Sequence, residues 1–122
     1  MYKVVGLLKK HPDLSTEAFR DYYESYHRVI GEKYLHQYAS RYIRRYLNPF
    51  SDPISGQSGE HYYDVVLEIW YHDETAFQSA NELFSQPDIA KEIAEDEEKL
   101  FDRGSNRFYT VSEVESNLLT EE

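Results

Sequence analysis

At 122 residues and 14.5 kDa the chain amounts to one domain, too short for a two-domain enzyme with a cofactor domain of its own. Thirteen Lys and Arg against twenty-three Asp and Glu leave a formal net charge of -10, which repels a phosphate backbone and excludes nucleic acid as the expected partner. Cysteine is absent, so disulfides, thiolate metal sites and a cysteine nucleophile are excluded, which suits a cytoplasmic protein.

Tyr2 to Leu8, with Val4, Val5, Leu7 and Leu8, predicts a first strand, and Lys9-Lys10-His11-Pro12-Asp13 reads as the loop after it. Apolar runs are short and Lys9-Lys10 follow at once, so neither a signal peptide nor a membrane span is expected. Ser15 is placed to cap a first helix, with Thr16 and Glu17 favourable in its first turn. Phe19, Tyr22, Tyr23, Tyr26 and Ile30 recur three or four residues apart as its apolar stripe, Arg20, Asp21, Glu24 and Arg28 take the other side, and Gly31 weakens or ends it.

Tyr38 to Leu47 alternates as a second strand, with Ser40, Tyr42, Arg44 and Tyr46 on one face. Asn48 to Gly59 is rich in Pro, Ser and Gly and predicts the long loop of the molecule. Tyr63 to Tyr71 carries the strongest strand pattern, with Val65, Leu67, Ile69 and Tyr71 on one face and Val66, Glu68 and Trp70 on the other. Asp73 caps a second helix that breaks before Pro87, and a further helix follows from Ile89 to Phe101 with a strongly acidic exposed face. A last strand over Phe108 to Val114 leads into a polar tail, so the domain is predicted over residues 1–115 with an acidic tail over 116–122.

The order β, α, β, β, α, β predicts an α+β fold of ferredoxin-like, split βαβ build, in which the helices cover one face of a four-stranded antiparallel sheet. The other face carries too many apolar side chains to stay wet, so the protein is expected to be a homodimer closed sheet on sheet.

At this point the chain resembles the EthD-like family of dimeric α+β barrel proteins. The resemblance rests on Tyr2 to Lys10, on Leu14-Ser15-Thr16-Glu17-Ala18-Phe19-Arg20-Asp21-Tyr22-Tyr23 leading to His27, on Val66 to Tyr71, and on Asp96 to Asp102. It covers residues 2 to about 115. It implies a small metal-free protein of secondary metabolism or xenobiotic breakdown, with decarboxylases and dehydratases of aromatic polyketides and broadly labelled oxidoreductases among its relatives. Arg28-Val29-Ile30 stand after His27 where the family usually has a small residue and a proline, so the imidazole is free to tilt differently.

His27, four residues after Tyr23 on the apolar side of the first helix, is the leading acid-base candidate, since imidazole is the side chain most easily tuned to move protons near neutrality. Glu68, between Val66 and Trp70, is the second, as a carboxylate whose desolvation would favour the protonated form and which could orient His27 or act as acid. Twelve tyrosines in so short a chain point to an interface or a wet pocket; core and dimer packing accounts for most of them, and Tyr23, Tyr26, Tyr42, Tyr46 and Trp70 are the candidates for holding a flat substrate. Asp96, Glu97 and Asp102 read mostly as a solvated helix end, although Glu97 falls on the apolar stripe.

The five histidines lack ligand spacing and no glycine-rich phosphate loop is present, so no metal and no cofactor is expected. The leading reading is a cofactor-independent enzyme performing decarboxylation, dehydration or cyclisation on an aromatic or polyketide-like substrate. The alternatives are a non-catalytic small-molecule-binding or accessory protein, and an oxidoreductase or monooxygenase of the same fold.

Overall fold

A computed structural model describes residues 1–59 and 61–119; within the predicted tail, residues 120–122 lie outside the described residues. Strands β1 (Tyr2–Leu8), β2 (Ala39–Tyr46), β3 (Val65–Tyr71) and β4 (Arg107–Thr110) form one antiparallel sheet in the order β2-β3-β1-β4. Two helical layers cover one face of it. The first runs unbroken through α1 (Thr16–Tyr22), a π turn (Tyr23–His27) and α2 (Arg28–Leu35); the second consists of α3 (Glu74–Phe84) and α4 (Pro87–Leu100). This is the α+β, ferredoxin-like arrangement predicted from the element order.

Alternation decides which side chains meet the helices. In β3 the residues Val65, Leu67, Ile69 and Tyr71 are buried, and registry places Val4 and Leu8 of β1 and Tyr42, Arg44 and Tyr46 of β2 on the same side. Phe19, Tyr23, Leu35, Ala80, Leu100 and Phe101 close over them as the core. The opposite sheet face carries Lys3, Val5, Leu7, Ile43, Arg45, Val66, Glu68 and Trp70, and among the described residues no helix covers it.

The predicted caps form. Ser15 Oγ accepts from the Ala18 amide at 3.0 Å and Asp73 Oδ1 from the Ala76 amide at 2.7 Å. Gly31, by contrast, does not end the first helix, because its bare Cα lies against the Tyr42 ring, where a Cβ would sit 2.6 Å from the hydroxyl. Glu24, on the polar side of the helix and half-exposed, is nevertheless paired: it receives Arg44 at 2.7 and 3.0 Å and the Tyr46 hydroxyl at 2.5 Å, which lets a strand face as polar as Tyr42-x-Arg44-x-Tyr46 pack under a helix. The Arg44 bonds, more than any other influence, hold the Glu24 carboxyl below its ordinary value. The last helix begins at Pro87, whose fixed φ and missing N–H suit a first helical position, and the last strand stops at Thr110.

Candidate active site

The wide turn over Tyr23–His27, in which the Arg28 amide bonds the Tyr23 carbonyl five residues back, aims both Tyr23 and His27 at the sheet. His27 is only 8% exposed. Its ring stands edge-on to Tyr23 and Phe101, with centroids 5.3 and 5.4 Å away. Its Nδ1 lies 2.9 Å from Oδ2 of Asp96 in α4, whose Oδ1 accepts the Tyr22 hydroxyl at 2.6 Å. A carboxylate can only accept, so the Asp96 contact places the proton of the neutral imidazole on Nδ1 and leaves a lone pair on Nε2. Burial and the adjacent Asp96 push the Tyr22 hydroxyl up to about 12, which keeps it a donor.

The imidazole forms part of the wall of a cavity of about 430 Å³ between the sheet and the helices. Most of the lining is apolar, from Val4, Leu8, Leu67, Ile69, Phe77 and Phe84, with the phenols of Tyr23, Tyr34 and Tyr42 and the Asn81 amide as polar points. Glu97 lines it too. Burial raises the Glu97 carboxyl from its ordinary value, against the lowering influence of His27 and of Arg103, whose Nε lies 3.4 Å from Oε1. The cavity wall therefore carries an imidazole whose Nδ1 is committed to Asp96 and a carboxyl whose hold on a proton is strengthened by burial. Two such groups can take a proton from one atom of a bound molecule and supply one to another.

The sequence candidates divide between the two faces of the sheet. Tyr23 and Tyr42 reach the cavity, their hydroxyls 3.5 Å apart. Tyr46 is occupied by Glu24, and Tyr26 is 60% exposed, its ring tilted against Tyr22 with centroids 4.8 Å apart. Glu68 and Trp70 are on the opposite, uncovered face, so within the protomer Glu68 does not orient His27; Asp96 does. Glu68 accepts Trp70 Nε1 at 2.5 Å and Arg45 at 2.9 Å. The indole hydrogen bond first, and then the Arg45 charge, outweigh burial and hold its carboxyl below the ordinary value, the reverse of the predicted shift. Lys3 and Arg41 lie over the Trp70 ring at 3.9 and 4.8 Å.

The predicted solvated helix end is corrected at Asp96, which is 9% exposed and belongs to the site. A signal for it exists in the sequence: Ile89, Ile93, Asp96 and Leu100 recur at spacings of four, three and four, so Asp96 lies on the buried stripe. Among the described residues no group of three His, Asp or Glu side chains is arranged to hold a metal ion.

Fold and site together define a ferredoxin-like α+β protein with a helix-covered cavity. Residues 11–104 match the EthD domain, and the chain belongs to that family. HapK of Hahella chejuensis is similar in structure, with 11% identity, a TM-score of 0.58 and coverage of 99% of this chain and 100% of that one. At3g17210 of Arabidopsis thaliana is similar at 14% identity and a TM-score of 0.61, covering 97% of this chain and 100% of that one. An antibiotic biosynthesis monooxygenase is similar at 14% identity and a TM-score of 0.52, covering 94% of this chain and 100% of that one. At such identities these likenesses show the fold alone. No curated protein matches the sequence.

Proposed function

We propose that the protein is a small enzyme of secondary metabolism or aromatic breakdown that works by the acid-base chemistry of its own side chains on an aromatic or polyketide-like substrate. The observation that carries this reading is the Tyr22–Asp96–His27 chain, which commits Nδ1 of an imidazole that lines an apolar cavity together with Glu97. His27 would take a proton from a carbon next to a carbonyl, and Glu97 would give its proton to the oxygen that gains charge. In dehydration the proton held by His27 goes to a β-hydroxyl, whose C–O bond breaks to release water while the enol proton returns to Glu97; in cyclisation the enol carbon bonds a second carbonyl carbon, whose oxygen takes the His27 proton as the enol proton returns to Glu97. In decarboxylation no carbon-bound proton is removed: the C–C bond to the carboxylate breaks, carbon dioxide leaves, and the Glu97 proton on the remaining oxygen gives the enol. The antibiotic biosynthesis monooxygenase among the structural neighbours keeps oxygenation as a second reading, which oxygen consumption with the same ligands would reveal.

The test uses 2-tetralone, a bicyclic ketone with exchangeable α-hydrogens, in D2O at neutral pH, followed by NMR. The protein should accelerate exchange, also after dialysis against EDTA, and His27→Gln should lower the acceleration by about 10² to 10⁴. Equal exchange by the variant removes His27 from the chemistry. Ligand binding with no exchange in either protein makes the cavity a carrier site instead.

A further inference from the structure

We infer that the cavity selects uncharged ligands, aromatic ketones and phenols, and rejects carboxylates of the same size. This rests on the reading of the cavity as the binding site and narrows its substrate class.

Among the described residues, no lysine or arginine contributes to the cavity lining. The cations nearest to it are each held by a carboxylate. Arg44, beside Tyr42, is gripped at two points by Glu24 at 2.7 and 3.0 Å. Arg103 lies 3.4 Å from Glu97 and 3.3 Å from Glu98. Lys33, over the ring of Tyr34, lies 3.6 Å from Glu92, which also accepts the Tyr34 hydroxyl. Protonation of His27 would not supply a free cation, because Asp96 at 2.9 Å already balances that charge.

A ligand carboxylate would therefore leave water for a mostly apolar space with two protein carboxyls nearby and no uncommitted positive group. That is the arrangement in which burying an anion costs most. A neutral ketone or phenol meets the opposite situation: the Tyr23 and Tyr42 hydroxyls and the Asn81 amide offer hydrogen bonds, and the aromatic and aliphatic walls offer contact area. Within the proposed chemistry, dehydration and cyclisation of neutral ketones remain, and decarboxylation of a bound carboxylate falls away.

The experiment compares 1-naphthol with 1-naphthoate, two bicyclic ligands differing in charge, by titration calorimetry on the full chain at pH 7.5. Naphthol should bind at least about tenfold more tightly. Thr110→Lys, at an exposed position in the cavity lining, should raise naphthoate affinity by about tenfold and leave naphthol within about threefold, since it adds the missing cation. Should that variant not fold, Asn81→Lys adds the cation at another exposed position of the lining and should strengthen naphthoate binding over the parent. Naphthoate binding as tightly as naphthol, absence of naphthol binding, or failure of the folded variant to favour naphthoate each overturns the inference. Tetralone exchange distinguishes the two levels. Carboxylate preference with His27-dependent exchange overturns only the ligand class, and naphthol preference without exchange overturns only catalysis.

Discussion

Replacing Asp96 by Ala interrogates the site without knowledge of the substrate. The substitution removes the acceptor for His27 Nδ1 at 2.9 Å and for the Tyr22 hydroxyl at 2.6 Å. Each charged hydrogen bond contributes about 1.5 to 3 kcal/mol, and relief from keeping a desolvated carboxylate offsets part of the sum. With Asp96 only 9% exposed, the loss that remains should be about 2 to 4 kcal/mol. For a chain of this size that corresponds to a fall of about 6 to 16 °C in melting temperature. The imidazole should also change tautomer, because an Nδ1 proton without a partner costs more than an Nε2 proton turned into the cavity. Long-range nitrogen-proton NMR of labelled histidine at pH 8 reads this directly, with the proton on Nδ1 in the parent and on Nε2 in the variant. Asp96→Asn, which keeps one acceptor, should lose less stability than Asp96→Ala. A parent protein already carrying its proton on Nε2, or an Asp96→Ala variant that melts within about 1 °C of the parent, would refute the assignment of Asp96 as the group positioning His27.

Glu97 titrates above its unfolded value of about 4.3, so its contribution to stability is complete below that pH and is lost as the pH rises through the raised folded value. Glu97→Gln should accordingly melt higher than the parent at pH 8 and no higher at pH 4; equal behaviour at both pH values contradicts the burial argument. Gly31→Ala should lower the melting temperature despite a helix preference for Ala of about 1 kcal/mol, because the new Cβ would lie 2.6 Å from the Tyr42 hydroxyl and 2.8 Å from two of its ring carbons; a rise in a thermal melt would show that the ring moves freely. The uncovered sheet face, with Val5, Leu7, Ile43, Val66 and Trp70, is proposed to close on a second copy, so sedimentation at micromolar concentration should give a dimer, and a monomer there removes the sheet-on-sheet arrangement.

What could be read from the sequence follows from local rules that tertiary contacts did not override. The alternation of Tyr63 to Tyr71 survives as a strictly alternating burial pattern in β3, and Ser15 and Asp73 cap the helices they precede. Reading failed where a residue answers to a neighbour distant in sequence. Gly31 looks like a helix stop until the Tyr42 ring across the gap is seen, and Glu24 looks unpaired until Arg44 and Tyr46 arrive from β2. Tyr26 has helical spacing suited to the apolar stripe, yet the π turn aims His27 and Tyr23 inward and leaves it outside.

Glu68 and Asp96 illustrate the same point for the site. Glu68 is a lone carboxylate between Leu67 and Ile69 on a strand, whereas Asp96 sits in the acidic run Glu95-Asp96-Glu97-Glu98 on a helix, so local sequence ranks Glu68 first and reads Asp96 as solvated. Which carboxylate reaches His27 is settled by the side of the sheet that the helices cover. Glu68 shares its strand face with Val66 and Trp70, away from the helices, and finds Arg45 there. Asp96 lies on the inward stripe of α4, 69 positions from His27 in sequence, and only the packing of α4 against the π turn brings the two together. A buried carboxylate needs such partners to remain charged, so Asp96 has its place on that stripe only because Tyr22 and His27 are opposite it.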